Sequence, residues 1–234
     1  MAIAISPVGT SYLRPCYGHA SDLDGALPRI LNKPAAAETK TTDGKPSWRL
    51  VATVLLPFAA GYYLSYAFRT INALISGPLV SEFGLSAADL GILTAVLFLT
   101  FGAVQLPLGV WLDRFGPRRV QAVLLSLAAI GATIFACAPN LLWLILGRAL
   151  IGFGVAGALM GGLKAIVLWW PAERIAMANG WLITLGALGA VTATAPAEML
   201  IASIGWRGLF LLLAALAAIA AVLILRFVPE RPAR

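Results

Sequence analysis

The sequence predicts an all-α integral membrane protein, a six-transmembrane-helix bundle, and three observations carry that prediction. Hydrophobic residues make up 60% of the chain and charged residues only 12%, with a mean hydropathy of +0.89; soluble domains carry about 25% charged residues. Apolar segments recur at lengths that suit a helical bilayer crossing, about 20 residues at 1.5 Å each. The 23 glycines lie along these segments, without the alternation of polar and apolar residues that an outer-membrane barrel needs.

Residues 1–48 mix Pro, Gly, Thr, Ser and charges, and are expected to form a disordered cytoplasmic tail ahead of a membrane domain over 49–234. In the tail Arg14, Arg29, Lys33, Lys40 and Lys45 nearly balance Asp22, Asp24, Glu38 and Asp43, so the formal charge of +7 belongs to the membrane part. There Arg49, Arg114, Arg118, Arg119, Arg174, Arg226, Arg231 and Arg234 flank spans, which is a topology signal and not a nucleic-acid surface. Cys16 and Cys137 make neither a metal spacing nor a bridge framework, and His19 stands alone in the tail; no metal, cofactor or His-based catalysis is expected. Ser65, Ser126 and Thr184 have no His or convincing acidic partner, and no G-x4-G-K-[ST] occurs. The chain therefore reads as neither an enzyme nor a user of ATP.

Span one is expected over about 50–76, with Pro57 and Gly61 as bending points and Tyr62, Tyr63, Tyr66 and Phe68 leading to Arg69. A loop over 77–84 follows, and Ser86-Ala-Ala-Asp89 has the form of a helix N-cap for span two, about 90–112. The charged turn Gly109-Val-Trp-Leu-Asp-Arg-Phe-Gly-Pro-Arg-Arg119 comes next, where Gly109 suits close helix approach and Gly116 with Pro117 suits a tight turn. Span three, about 120–138, ends at a Pro139-Asn140 turn. Span four, about 141–169, has Gly157 and Gly161 as a small-x3-small packing face. Span five is expected over about 179–202, with Pro196 and Glu198 near its end, and span six over about 209–228. Basic residues gather on the tail, the 2/3 loop, the 4/5 loop and the C-terminus, whereas the 1/2 loop has Glu82 and Asp89; only Arg207 dissents. Both termini are thus expected to be cytoplasmic, in a bacterial inner membrane.

The turn motif G-x3-D-R-x-G-x-R-R resembles the loop between helices 2 and 3 of major facilitator superfamily transporters. Three further stretches agree with that resemblance: Leu146-Gly-Arg-Ala-Leu-Ile-Gly-Phe-Gly154, Pro78 with Glu82-Phe-Gly-Leu-Ser-Ala-Ala-Asp-Leu-Gly91, and Gly205-Trp-Arg-x2-Phe210. Residues 50–230 are similar to the N-terminal six-helix half of such a transporter. The resemblance implies twelve helices in two halves, with substrate between them near the midplane. This chain then matches one half, as a truncated product, a half paired with another chain, or one unit of a homodimer. It also implies that Asp113 braces against a helix of the other half in the outward-open state. Span five reads Gly186-Ala-Leu-Gly189 and then Ala195-Pro196, not the G-x3-G-P of drug/proton antiporters, so multidrug export is not the first choice.

A charge near the bilayer centre costs about 2.5 to 3.5 kcal/mol on insertion scales, so basic residues inside spans need a cavity or a partner. Arg69, with Tyr62, Tyr66 and Asn72 at helical spacing, is a candidate site for an anionic group; alternatively it reaches the outer headgroups. Arg148 matches the helix-4 arginine of the resemblance, which implies proton coupling or cavity lining; the other reading is a packing residue bonded to helix carbonyls. Lys164 either snorkels or contacts substrate. Gly109, Asp113, Arg114, Gly116, Arg118 and Arg119 read as a gating motif. Glu198 is a proton carrier or a solvated cap. The expected function is secondary transport of a small anionic organic solute by alternating access, with proton coupling left open and a second six-helix half required. The alternative is a non-conducting half-transporter that acts as a membrane interaction subunit.

Overall fold

The computed structural model describes residues 48–229; the expected tail up to residue 47, Cys16, His19, Arg231 and Arg234 lie outside the described residues. Every regular element described is helical: α1 (Trp48–Thr70), α2 (Asn72–Phe83), α3 (Ala87–Ala136), α4 (Leu141–Val155), α5 (Ala158–Trp169), α6 (Ile175–Thr192) and α7 (Ala195–Phe227), with a 3₁₀ turn at Ala172–Arg174. Five helical stretches are long and apolar enough to cross a membrane, with α4 and α5 forming one of them.

The 50-residue α3 would extend about 75 Å if straight, more than twice the hydrocarbon thickness of a bilayer. It is not straight, because Gly116 adopts φ 80° and ψ 158°, a conformation only glycine enters without strain. Leu108 and Leu124, eight residues to either side, both lie within 4 Å of the position a Cβ on Gly157 would take. The element is therefore a hairpin, and its two arms pack with the other stretches as a six-helix bundle. Exposed Leu99, Leu106, Val123 and Met199 give the outer surface the apolar character that lipid requires.

Three details of the chain path depart from the sequence expectation. Residues 77–83 are not a loop but belong to α2, because Ile75 and Leu79, one helical turn apart and fully buried, hold the helix through Gly77-Pro78. The stop comes at Gly84, whose φ of 64° caps the helix. Span five does not run unbroken to residue 202: α6 ends at Thr192, and Pro196 sits in the first turn of α7, where a missing N–H costs nothing. At the start of α1, Pro57 has no N–H to offer its preceding turn, and Val51–Leu55 widens into a π-turn in which the Leu56 amide bonds to the Val51 carbonyl.

The expected cap at Ser86 is present, and a second one forms at the Pro139-Asn140 turn. The Ser86 hydroxyl accepts from the Asp89 amide (3.2 Å) while the Asp89 carboxylate accepts from the Ser86 amide (2.9 Å). The Asn140 side chain accepts from the Trp143 amide at 3.3 Å.

The seam between the second arm of α3 and α4 is made backbone to backbone. Cβ atoms built on Gly131, Gly147 and Gly154 would each fall against main-chain atoms of the opposite helix. Gly157 and Gly161 serve differently: with Gly61 of α1 they leave a slot that the fully buried Gln121 side chain fills.

At the end of the bundle away from the charged turn, Gly205 (φ 72°) bends α7 and Trp206 Nε1 donates to Glu82 Oε2 at 2.8 Å. Arg207 pairs with the other Glu82 oxygen at 2.7 Å and donates to the Ala136 and Ala138 carbonyls at the C-terminus of α3, where cations are favoured. Arg207, the one dissenter from the charge pattern, is thus spoken for by a carboxylate and a helix end.

Candidate functional site

Arg69 lies in the last turn of α1. Its Nε donates to the Ser65 carbonyl at 3.0 Å, and its guanidinium carbon is 4.6 Å from the Tyr66 ring and 5.1 Å from the Phe101 ring. Two aromatic rings at this range restrain the fork. No hydrogen bond from its two terminal nitrogens reaches an acceptor among the described residues. Arg69 lines a cleft of about 380 Å³ with Thr70, Asn72, Ser76 and Thr94. Asn72 Nδ2 donates to Thr94 Oγ1 at 2.5 Å, and that hydroxyl donates to the Leu90 carbonyl at 2.9 Å, so the amide is oriented by α3. The cleft is walled only by α1, α2 and the first arm of α3.

Tyr66 and Tyr62 sit one turn apart below Arg69, with ring centroids 5.0 Å apart and the Tyr62 hydroxyl donating to that of Tyr66 at 3.3 Å. Tyr62 is buried because its ring occupies the space a side chain on Gly186 would take. Tyr63 shares a hydrogen bond with Thr192 at 2.5 Å, and its carbonyl lies where a Cβ on Gly189 would be. The glycines of α6 thus let it approach α1 closely enough to set the height of the tyrosines.

The break between α4 and α5 leaves carbonyls without helical partners. Ser65 Oγ donates to the Val155 carbonyl at 3.1 Å and Gln105 Nε2 to the Ala156 carbonyl at 3.0 Å. In lipid such groups must find acceptors or donors inside the protein.

Arg148 is elsewhere. It is fully buried, lines none of the clefts described here, and its guanidinium carbon is 4.5 Å from the Phe135 ring and 5.3 Å from that of Phe210. None of its nitrogens has a hydrogen-bond partner among the described residues. The expected bonds to helix carbonyls are therefore not made, and the side chain is held by aromatic faces instead.

The charged turn forms a separate centre. Lys164 of α5 is paired with Asp113, with relative side-chain exposures of 26% and 72%. They line a cleft of about 490 Å³ with Gln105, Leu108 and Gly109. A Cβ on Gly109 would meet nothing within 4 Å, so the close helix approach expected of it is not made among the described residues. Arg118 donates to the Leu225 carbonyl near the end of α7. Arg114 and Arg119 are exposed beside Gly116. Glu198 is exposed, in the first turn of α7.

The structure therefore brings Arg69, Tyr62, Tyr66 and Asn72 together and sets Arg148 and Lys164 apart. Sequence reasoning missed Thr94, Phe101, Gln105 and Gln121. Three of these lie on span two, where a Thr and a Gln among apolar residues are the only signal.

The sequence model described as "Major Facilitator Superfamily" matches residues 58–234. The chain belongs to the Major Facilitator Superfamily. Among its relatives in this superfamily, it is 29% identical to the probable sulfoacetate transporter SauU of Cupriavidus necator over 66% of this chain and 36% of that one. It is 28% identical to the probable L-galactonate transporter of Escherichia coli (68% of this chain, 35% of that one). It is also 28% identical to the niacin transporter NiaP of Acinetobacter baylyi (76% and 40%). The chain thus spans well under half the length of these Major Facilitator Superfamily relatives. The fold matches that of a bacterial homologue of the human lysosomal transporter Spinster in its inward-facing, unoccupied conformation. The TM-score is 0.70 at 22% identity, covering 81% of this chain and 45% of that one. The superfamily consists of membrane transporters and not enzymes, in keeping with the absence of a nucleophile set in the sequence.

Proposed function

We propose that this chain is one half of a secondary active transporter that moves a small anionic organic solute by alternating access. The observation that carries the reading is Arg69, which lines a cleft with its guanidinium close to two aromatic rings. A guanidinium offers two parallel donors to a carboxylate or sulfonate, and burial beside rings strengthens the contact. Tyr66 and Asn72 supply further polar contacts, and Tyr62 steadies Tyr66. Relatives named for sulfoacetate, L-galactonate and niacin support an organic anion as the solute class.

A second half, supplied as a homodimer or by another chain, completes the path past this cleft, and both termini of this half face the cytoplasm of a bacterial inner membrane. Asp113, with Gly109, Arg114, Gly116, Arg118 and Arg119, works as the gate, and Lys164 holds Asp113 while the gate is in the present state. Arg148 acts from the core, either in proton coupling or in fixing the aromatic cluster.

The test is uptake of radiolabelled sulfoacetate, galactonate and nicotinate into proteoliposomes, with and without a pH gradient. We expect uptake of at least one anion, with Arg69→Ala lowering affinity by about ten-fold to a hundred-fold, the worth of one or two hydrogen bonds to a charged group, and Arg69→Lys recovering part of it. Unchanged affinity in Arg69→Ala would refute the site. A stable monomer by native mass spectrometry, with no uptake, would leave a non-conducting interaction subunit.

A further inference from the structure

Two cavities adjoin at the charged turn. The first, about 210 Å³, is lined by Arg114, Arg118 and Arg119 with Trp169 of α5 opposite them. The second, about 430 Å³, is apolar and runs along the second arm of α3 between Trp111, Val123, Leu124, Leu127 and Phe153. Phe115 and Arg119 line both. We propose that these are the headgroup and acyl-chain ends of one binding site for an anionic phospholipid.

The first cavity has the chemistry of a phosphate site. Three arginines line it, and a guanidinium offers a planar fork that matches phosphate oxygens. Arg118 is tied to the Leu225 carbonyl of α7, which fixes one wall, and Arg114 leans on Phe115 at 5.5 Å from the ring. Asp113, in the same turn, pairs with Lys164 of α5. Trp169 stands where an indole sits at the level of lipid headgroups.

The second cavity decides between a lipid and a soluble anion. Val120 to Leu127 covers about 10 Å of helix from the turn toward the bilayer interior. Val123 is 60% exposed and Phe115 53%, so the groove opens to lipid and not to the protein core. A free phosphate would use the arginines and leave the groove idle. A phospholipid fills both, with Arg119 and Phe115 at the junction of head and tail. Basic pockets between helices at a membrane surface hold anionic headgroups in the same way. This site stands apart from the Arg69 cleft and does not depend on the transport reading.

The experiment is native mass spectrometry of the purified full chain with phosphatidylglycerol or phosphatidylcholine of identical acyl chains. We expect phosphatidylglycerol to be retained at least about ten-fold better, and the double variant Arg114→Gln with Arg119→Gln to lose about twenty-five-fold, five-fold for each arginine. The corresponding lysine variants restore most of the retention. Val123→Trp with Leu127→Trp, which fills the groove and spares the arginines, also lowers it. In the wild type, phosphatidylglycerol protects Arg114 and Arg119 from phenylglyoxal and phosphatidylcholine does not, a readout that requires no variant to fold. Equal retention of the two lipids, or no protection of the arginines, would overturn the proposal. So would full displacement by millimolar inorganic phosphate with no effect of filling the groove, since that is the behaviour of a soluble-anion site.

Discussion

Gly154→Ala and Gly102→Ala make the same chemical change in two helices and are expected to move stability in opposite directions. A methyl on Gly154 would lie 2.5 Å from the Leu124 carbonyl oxygen and 2.7 Å from the Ala128 Cα. Both are main-chain atoms of α3, so no rotamer change relieves the overlap, and the helices must part by about 1 Å to restore ordinary contact. The same seam holds Gly131 against the Ile151 amide and Gly147 against the Phe135 amide, each at 2.8 Å to the added carbon, so separation at one point loosens all three. Overpacking of this kind costs about 3 kcal/mol at the upper end of its usual range, offset by about 1 kcal/mol for the better helix propensity of alanine. The net expectation is a loss of about 2 kcal/mol. At Gly102 an added methyl meets nothing within 4 Å, and only the propensity gain of up to about 1 kcal/mol remains. Thermal unfolding of the purified protein in detergent, followed by tryptophan fluorescence, should show Tm falling by about 4 to 8 °C for Gly154→Ala and rising by about 1 to 4 °C for Gly102→Ala. A Gly154→Ala protein with wild-type Tm, or a Gly102→Ala protein that falls as far, would refute the backbone-contact account of the seam.

Three further outcomes follow from the same geometry. Arg148→Met should raise stability by about 1 to 3 kcal/mol, since it removes a buried charge with no hydrogen-bond partner among the described residues and forfeits about 2 kcal/mol of ring contact; a loss of 2 kcal/mol or more in urea or thermal unfolding would contradict that. The hydrogen bonds from Arg207 hold the Glu82 carboxyl below its usual range against the opposing effect of burial, with a smaller contribution from the Trp206 hydrogen bond. The stabilisation is therefore fully present above the unfolded glutamate pKa, about 4.3, and lost as pH falls through the lower folded value. Because the pair is partly exposed, the stability gap between wild type and Glu82→Gln should be about 1 kcal/mol at pH 7 and close as pH falls below about 4; a gap that widens on acidification would reverse the sign. A double-mutant cycle of Asp113→Asn and Lys164→Gln should give a salt-sensitive coupling of about 0.3 to 1 kcal/mol, and a salt-independent value above 2 would show the pair to be desolvated.

Local chemistry was readable where one segment contains both partners. Ser86 and Asp89 are three residues apart and form the expected reciprocal cap; Gly116 supplies the turn its neighbours demand. The all-helical membrane fold and the superfamily were likewise legible, because composition and a few short motifs carry them. Contacts between distant segments were not. Glu82 with Arg207, Asp113 with Lys164, and Gln121 with Gly61 and Gly161 are set by how helices stack, to which no single window of sequence has access. Gly77-Pro78 misled for the same reason: both residues are local breakers, but burial of Ile75 and Leu79 outweighs them. The cluster of Arg69, Tyr62, Tyr66 and Asn72 was visible as a helical face, whereas Phe101 and Thr94 come to it only through the packing of α3. Arg148 was recognisable as a charge in a span, but its two aromatic neighbours belong to other helices.

The joint between α4 and α5 is fastened from outside: Ser65 takes the Val155 carbonyl and Gln105 takes that of Ala156. A rod jointed at its middle and pinned by two other rods cannot pivot by itself. Swinging α5, with Lys164 on it, either drags α1 and the first arm of α3 along or uncouples both pins, and in an apolar surround each abandoned carbonyl costs several kcal/mol. The three helices thus behave as one lever, with its fulcrum at residues 155–157 and its working end at the Asp113 pair. A displacement at the charged turn would then reach the helix that carries Arg69 through these two bonds.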